Sequence, residues 1–174
     1  MGLRYIPLLA AALLSAAVVP RLGIEQLVAE SPRIVHGRVL GSHTARSGQF
    51  IWTHYRFQVL DNWKGDAPAE IIVSEPGGTL DGVTMEISGS VKFQTGEELV
   101  LFLYQTPIGY WRTTGYWQGK CSIASLAGEK RVHNNLRHAS LVDIDKRPAQ
   151  AKLQMPDRIR LSEFKSLIQG LGRR

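Results

Sequence analysis

The sequence predicts a mostly β protein. The expected fold is a small, strongly bent, mostly antiparallel barrel of five or six strands. A short helix precedes it and an amphipathic helix follows it. Three observations lead there. From Ile51 to Val59 apolar and polar residues alternate over nine positions, the two-residue period of a half-buried strand. Turn-forming clusters such as Lys64-Gly65-Asp66 and Pro76-Gly77-Gly78 cut the chain into short strands. Helical periodicity is confined to Ile24–Glu30 and Leu161–Leu171.

The first twenty residues read as a targeting segment. Arg4 forms a short basic leader, and Tyr5 to Pro20 is apolar apart from Ser15. Arg21 ends the run, which gives the three-part pattern of a secretory signal. The run is 16 residues long, short of the roughly 20 that a membrane span wants. Ser15 and Ala17 fit a loose cleavage site after Ala17. Residues 1–20 are therefore expected to be a signal peptide, with an uncleaved N-terminal anchor as the alternative. The chain is expected to be exported, to the periplasm or beyond.

The elements then follow in order. Ile24, Leu27 and Val28 form one apolar helical face, and Ser31-Pro32 stops the helix because a residue before proline avoids helical angles. Ile34–Leu40 reads as a strand and Gly41–Gly48 as a polar loop. In the long strand that follows, Ile51, Thr53, Tyr55, Phe57 and Val59 face one side. Trp52, His54, Arg56 and Gln58 face the other. Glu70–Ser74 is a short strand, and Asp81–Ser90 a weaker one carried by Val83, Met85 and Ile87. Leu99–Tyr104 is apolar on both faces, as suits a strand covered on both sides. Tyr110–Ala124 reads as a strand broken by Gly115 and Gly119, where a small barrel bends. Residues 125–157 are basic and unpatterned. Ser162 is the expected cap of the last helix, whose stripe is Leu161, Phe164, Leu167, Ile168 and Leu171. This divides the chain into residues 1–20, a barrel domain over 23–124, an irregular basic segment over 125–157, and a helical end over 158–174.

Composition narrows the function classes. Hydrophobic residues make up 44% and charged residues 21%, so the chain is globular rather than disordered. A barrel of this length buries roughly two-thirds of its unfolded surface and needs no metal or disulfide to fold. The lone Cys121 excludes an internal disulfide and reads as a small buried strand residue. The net charge of +6 lies in one place. Residues 1–119 hold 9 basic and 10 acidic side chains, and residues 120–174 hold 12 and 5. Such an end suits either a solvated surface or contact with anionic lipid, wall polymer, nucleic acid or an acidic protein face.

The runs "IVHGRVLG", "THYRFQVLDNWKGDAPAEIIV" and "FQTGEELVLFL" resemble the netrin-like module, the OB-type barrel of tissue inhibitors of metalloproteinases. A closer likeness is to uncharacterised exported bacterial proteins. It rests on Trp63-Lys64-Gly65, Pro76-Gly77-Gly78, Gly96-Glu97-Glu98, Leu101-Phe102-Leu103 and Gln118-Gly119-Lys120. The resemblance covers about residues 24–124 and implies an OB-like (netrin/TIMP-like) barrel with a general association with extracellular binding. Those inhibitors chelate zinc through an N-terminal cysteine. No such cysteine stands here, so that route of inhibition does not carry over. Gly65 and Gly77-Gly78 read as tight strand turns, and Trp63 as an apolar plug at the barrel end.

The sequence carries no strong catalytic motif. H-E-x-x-H, C-x-x-C, G-x-S-x-G, a Walker loop and G-x-G-x-x-G are all missing. His133 and His138 stand five apart without further ligands nearby, and His36 and His54 lie on strands that can neighbour each other. Glu97 and Glu98 alternate and face opposite sides. No catalytic residue, metal or cofactor is therefore expected. Tyr110, Trp111, Arg112, Tyr116, Trp117 and Lys120 interleave aromatic and basic groups and form the expected partner surface. On an OB barrel such a surface holds single-stranded nucleic acid by stacking and phosphate contacts. Export disfavours nucleic acid, and the same surface suits a peptide or a sugar polymer. The expected function is a noncatalytic exported binding module for a secreted protease or other extracellular protein. The alternatives are an envelope-associated structural protein, touching membrane only through its apolar start or basic end, and a hydrolase with an unrecognised site.

Overall fold

The structure, a computed structural model, describes residues 21–134 and 155–173. It is mostly β, with one large sheet, one small hairpin and a helix at each end. In chain order the elements are α1 (Ile24–Glu30), β1 (Arg33–Ser47), β2 (Phe50–Lys64), β3 (Glu70–Pro76), β4 (Gly78–Leu80), β5 (Val83–Met85) and β6 (Glu98–Gln105). Then come β7 (Trp111–Thr113), a 3-10 turn (Tyr116–Gly119), β8 (Lys120–Leu126), β9 (Glu129–Asn134), β10 (Ile159–Arg160) and α2 (Leu161–Leu171). The targeting segment over residues 1–20, His138 and most of the basic segment lie outside the described residues.

The large sheet runs β1-β2-β3-β7-β6-β8-β9-β10, and β1 also pairs with β6. Strands β1, β2, β3, β7 and β6 therefore form a closed circuit of hydrogen bonds. All pairings in it are antiparallel except β3 with β7, which meet in parallel at Val73 and Trp111. Strand β1 takes part in two ladders because three register shifts bend it, between Ile34 and Val35, His36 and Gly37, and Val39 and Gly41.

Strand β6 separates two cores, as its unbroken apolar run requires. Leu99, Leu101 and Leu103 join Val35, Val39, Tyr55, Phe57, Ile71, Val73 and Phe93 in a cluster shared by β1, β2, β3 and β6. Val100 and Phe102 face the other way, onto Ile24, Leu27 and Val28 of α1 and Phe164 and Ile168 of α2. Both helices thus cover the same side of the sheet. Lys64 Nζ donates to Val28 O at 2.5 Å and satisfies a carbonyl that the end of α1 leaves free. Trp63 belongs to this helix-covered core, with its ring 5.8 Å from Phe164. The apolar burial expected of Trp63 is met here, with α2 packed over it. Gly65 holds φ +68° where a Cβ would meet Pro32 O at 2.5 Å, so this turn requires glycine.

Several sequence expectations need correction. The loop expected over Gly41–Gly48 is strand as far as Ser47, because antiparallel pairing from Ser42–Tyr55 to Ser47–Phe50 recruits its polar residues into the ladder, and only Gly48 remains in a turn. The strand expected over Tyr110–Ala124 with breaks at Gly115 and Gly119 does break there: β7 ends before Gly115, where φ is +63°, and a 3-10 turn ends at Gly119 before β8. The segment expected to be irregular from residue 125 contains β9, which pairs with β8 from Cys121–Asn134 to Leu126–Glu129. Ser162 lies inside α2 and does not cap it. Arg160 holds the cap position without a side-chain bond, and Ser162 O accepts from Ser166 Oγ at 3.0 Å.

Candidate functional site

The alternation of β2 places Trp52, His54 and Arg56 on its outward side, and the ladders bring neighbours to them. His54 stands opposite His43 of β1 and opposite Ser74 of β3. The two imidazole rings lie 5.1 Å apart at 31°. His54 Nδ1 and Ser74 Oγ are 2.8 Å apart. Tyr110, in the turn between β6 and β7, returns onto the same place. Its ring meets Trp52 edge-on at 5.1 Å and His54 edge-on at 5.4 Å. The Arg112 guanidinium sits 5.8 Å from the Trp52 ring. Phe50 and Ile72, on the same two strands, are each 44% exposed. The result is an outward aromatic and histidine face on β2 and β3, flanked by the β1–β2 hairpin and the β6–β7 turn.

The six residues expected from the sequence do not form one platform. Tyr110 and Arg112 meet at Trp52. Arg112 and Tyr116 line a shallow cleft of about 320 Å³ with Tyr104 and Glu30. Trp111 turns inward onto the β1–β2–β3–β6 core, with the Arg33 guanidinium 4.1 Å from its ring centre. Trp117 lies 6.3 Å from Tyr116 and packs beside Gly89. The Lys120 ammonium is consumed by Glu97 Oε2 and Lys92 O, each at 2.9 Å, over the Phe93 ring. The run Gln118-Gly119-Lys120 is therefore construction. Gln118 is 1% exposed and its Oε1 accepts from Leu22 N at 2.8 Å.

The partner surface expected from the sequence omits Trp52, His43, His54 and Ser74. Alternation placed Trp52 and His54 outward, but nothing local indicates that Tyr110, some sixty residues on, lands against them. The expected closeness of His36 and His54 is also replaced. His36 Nε2 lies 2.7 Å from Glu98 Oε1, and His54 pairs with His43.

A larger cleft of about 490 Å³ opens beside the β4–β5 hairpin, lined by Thr53, Tyr55, Glu75, Ser90 and Lys92 among others. Glu75 is 2% exposed. Burial raises its carboxyl from the ordinary value, against the Thr113 N–H at 2.8 Å and Arg112 Nη2 at 3.2 Å, which both favour the charged form. Both oxygens are thereby committed to the protein. At the aromatic face, burial and the neighbouring His43 lower the pKa of His54. Ser74 is 2% exposed, so its hydroxyl orients His54 and is not presented to an incoming substrate. Cys121 is fully buried, and burial pushes its thiol up to about 12, which keeps it unreactive. Among the described residues no group of three or more His, Cys, Asp or Glu side chains converges as metal ligands do. Among the described residues no helix is long and apolar enough to cross a membrane.

No family model matches the chain, and no curated protein or solved structure matches it.

Proposed function

We propose that the chain is an exported, noncatalytic binding module built on an OB-like barrel, and that it engages an extracellular protein through the outer face of β2 and β3. The circuit β1-β2-β3-β7-β6-β1, with its single parallel pairing, supports the barrel reading. OB barrels bind ligands on the face of their second and third strands, flanked by the first hairpin and the loop between the fourth and fifth strands. The observation that carries the reading is the packing of Trp52, Tyr110 and His54 at that place, with exposed Phe50 and Ile72 beside them. Aromatic anchors beside an arginine are the side chains that dominate protein interfaces. The partner is an exported protein, a secreted protease being one class that fits. Export itself rests on the sequence of residues 1–20.

The test is affinity capture from the exported fraction, with wild type and the double variant Trp52→Ala/Tyr110→Ala on parallel supports. The partner is then purified and titrated against both. Loss of each anchor costs about 2 kcal/mol or more at an interface centre, so the double variant should bind at least about a hundredfold more weakly. Equal binding by both forms, with the variant melting as wild type does, counts against this face.

A further inference from the structure

We propose that His43 and His54 form a surface site for one borderline divalent transition-metal ion, of the zinc, copper or nickel class, with two protein nitrogens and the remaining positions open. The site does not depend on the protein-partner reading, although it shares the face.

The two histidines occupy directly opposed positions of the β1–β2 ladder, and unshifted pairing from Gly41–Arg56 to Ser47–Phe50 pins that register. Their ring centres are 5.1 Å apart. An ion holding two imidazole nitrogens at about 2.0–2.1 Å each, in a tetrahedral arrangement, places the ring centres roughly 5 Å apart. The ladder therefore holds the two rings at the centre-to-centre spacing that such an ion requires.

In the tautomer that donates Nδ1–H to Ser74 Oγ, His54 carries its lone pair on Nε2, and no described group bonds that atom. A ligating histidine whose other nitrogen is held in this way has a fixed tautomer and ring orientation. Ser74 is buried and Tyr110 packs edge-on to the ring, so His54 is the rigid half of the pair. His43 is exposed, and no hydrogen bond or ion pair of its ring occurs among the described residues. It is the half that adjusts. The donors are imidazole nitrogens without a carboxylate, which selects zinc, copper or nickel over calcium and magnesium. With only two protein ligands, the open positions take water or a donor from a second molecule.

The experiment titrates zinc chloride and copper chloride into the full, untagged chain by calorimetry, with copper electron paramagnetic resonance to count coordinating nitrogens. His43→Ala, His54→Ala, Ser74→Ala and His133→Ala are compared with wild type. Wild type should take up one ion per chain with a two-nitrogen copper spectrum. His43→Ala and His54→Ala should each weaken binding at least about tenfold, and Ser74→Ala should weaken it by a smaller factor through lost orientation. His133→Ala should leave it unchanged. His43 is exposed, so its variant keeps the fold and decides the matter even if His54→Ala disturbs β2. Binding in His43→Ala as tight as in wild type overturns the site, as does the absence of saturable uptake by wild type, or loss of uptake in His133→Ala alone.

Discussion

Glu98 and Glu75 show how the same side chain is set differently by its neighbours. Glu98 is 12% exposed, and this partial burial by itself raises its carboxyl. Hydrogen bonds from Lys130, His36 and Arg38 outweigh that and hold it down to about 2. A depressed carboxylate contributes stability above its unfolded value and loses it as pH falls toward the folded one. Wild type should therefore lose stability between about pH 5 and pH 2, and Glu98→Gln should flatten that limb in acid denaturation. At neutral pH the same variant should cost about 2 kcal/mol, a figure kept low because Arg38 and Lys130 are half-exposed. Glu75 carries a structural load instead. Glu75→Ala leaves Arg112 and the Thr113 N–H without their acceptor and should cost about 3–5 kcal/mol in chemical denaturation. Glu75→Gln keeps an acceptor for Thr113 and should cost less than half of that. Such pairings were beyond sequence reading, because Glu75 meets Arg112 and Thr113 only when β3 and β7 lie side by side. The opposite facing of Glu97 and Glu98 was legible: Glu97 binds Lys120 and Ser122, whereas Glu98 binds His36, Arg38 and Lys130.

Among the elements, those with a strong period were legible and those set by a partner were not. The helices α1 and α2 match their expected bounds, Ile24–Glu30 and Leu161–Leu171, because each carries a clear apolar stripe. Phe164 is the largest anchor of α2, fully buried between Trp63 and Phe102. Phe164→Ala should cost about 3–5 kcal/mol, read as a lowered denaturation midpoint. The far half of β1 has no strong period of its own and becomes strand because β2 supplies the ladder. Gly37 marks the crossing of the two ladders on β1. A Cβ there would meet Gln58 O at 2.6 Å, a backbone atom that cannot yield without moving β2. Gly37→Ala should therefore destabilise by about 1–3 kcal/mol, while Gly41→Ala, with open space around its Cβ, should be near neutral. The candidate face is likewise a product of pairing. Trp52 and His54 are outward by alternation, but their company of His43, Ser74 and Tyr110 comes from three different ladders and turns.

For the whole molecule, the closed strand circuit leaves one side to the helices and sets the aromatic face on the outer side of β2 and β3. The basic excess of the last third is partly spent within the fold. Lys120 pairs with Glu97, Lys130 with Glu98, Arg131 and Arg160 with Glu129, and Lys165 with Asp61. These pairs tie the end of the chain to the sheet, and each exposed one adds little stability. Export, partner class and barrel type are proposals that rest on residues 1–20, on the missing catalytic motifs and on the strand pattern. The proposed partner face emerges only from the strand pairings. The most direct test of that surface is site-specific photocrosslinking in the exported fraction, with the photoreactive residue at position 52 or, as a control, at Val83. Val83 is 54% exposed on the separate β4–β5 hairpin. The account predicts one discrete exported protein crosslinked from position 52 and not from position 83. Equal crosslinking from both positions, or none from position 52, would contradict it.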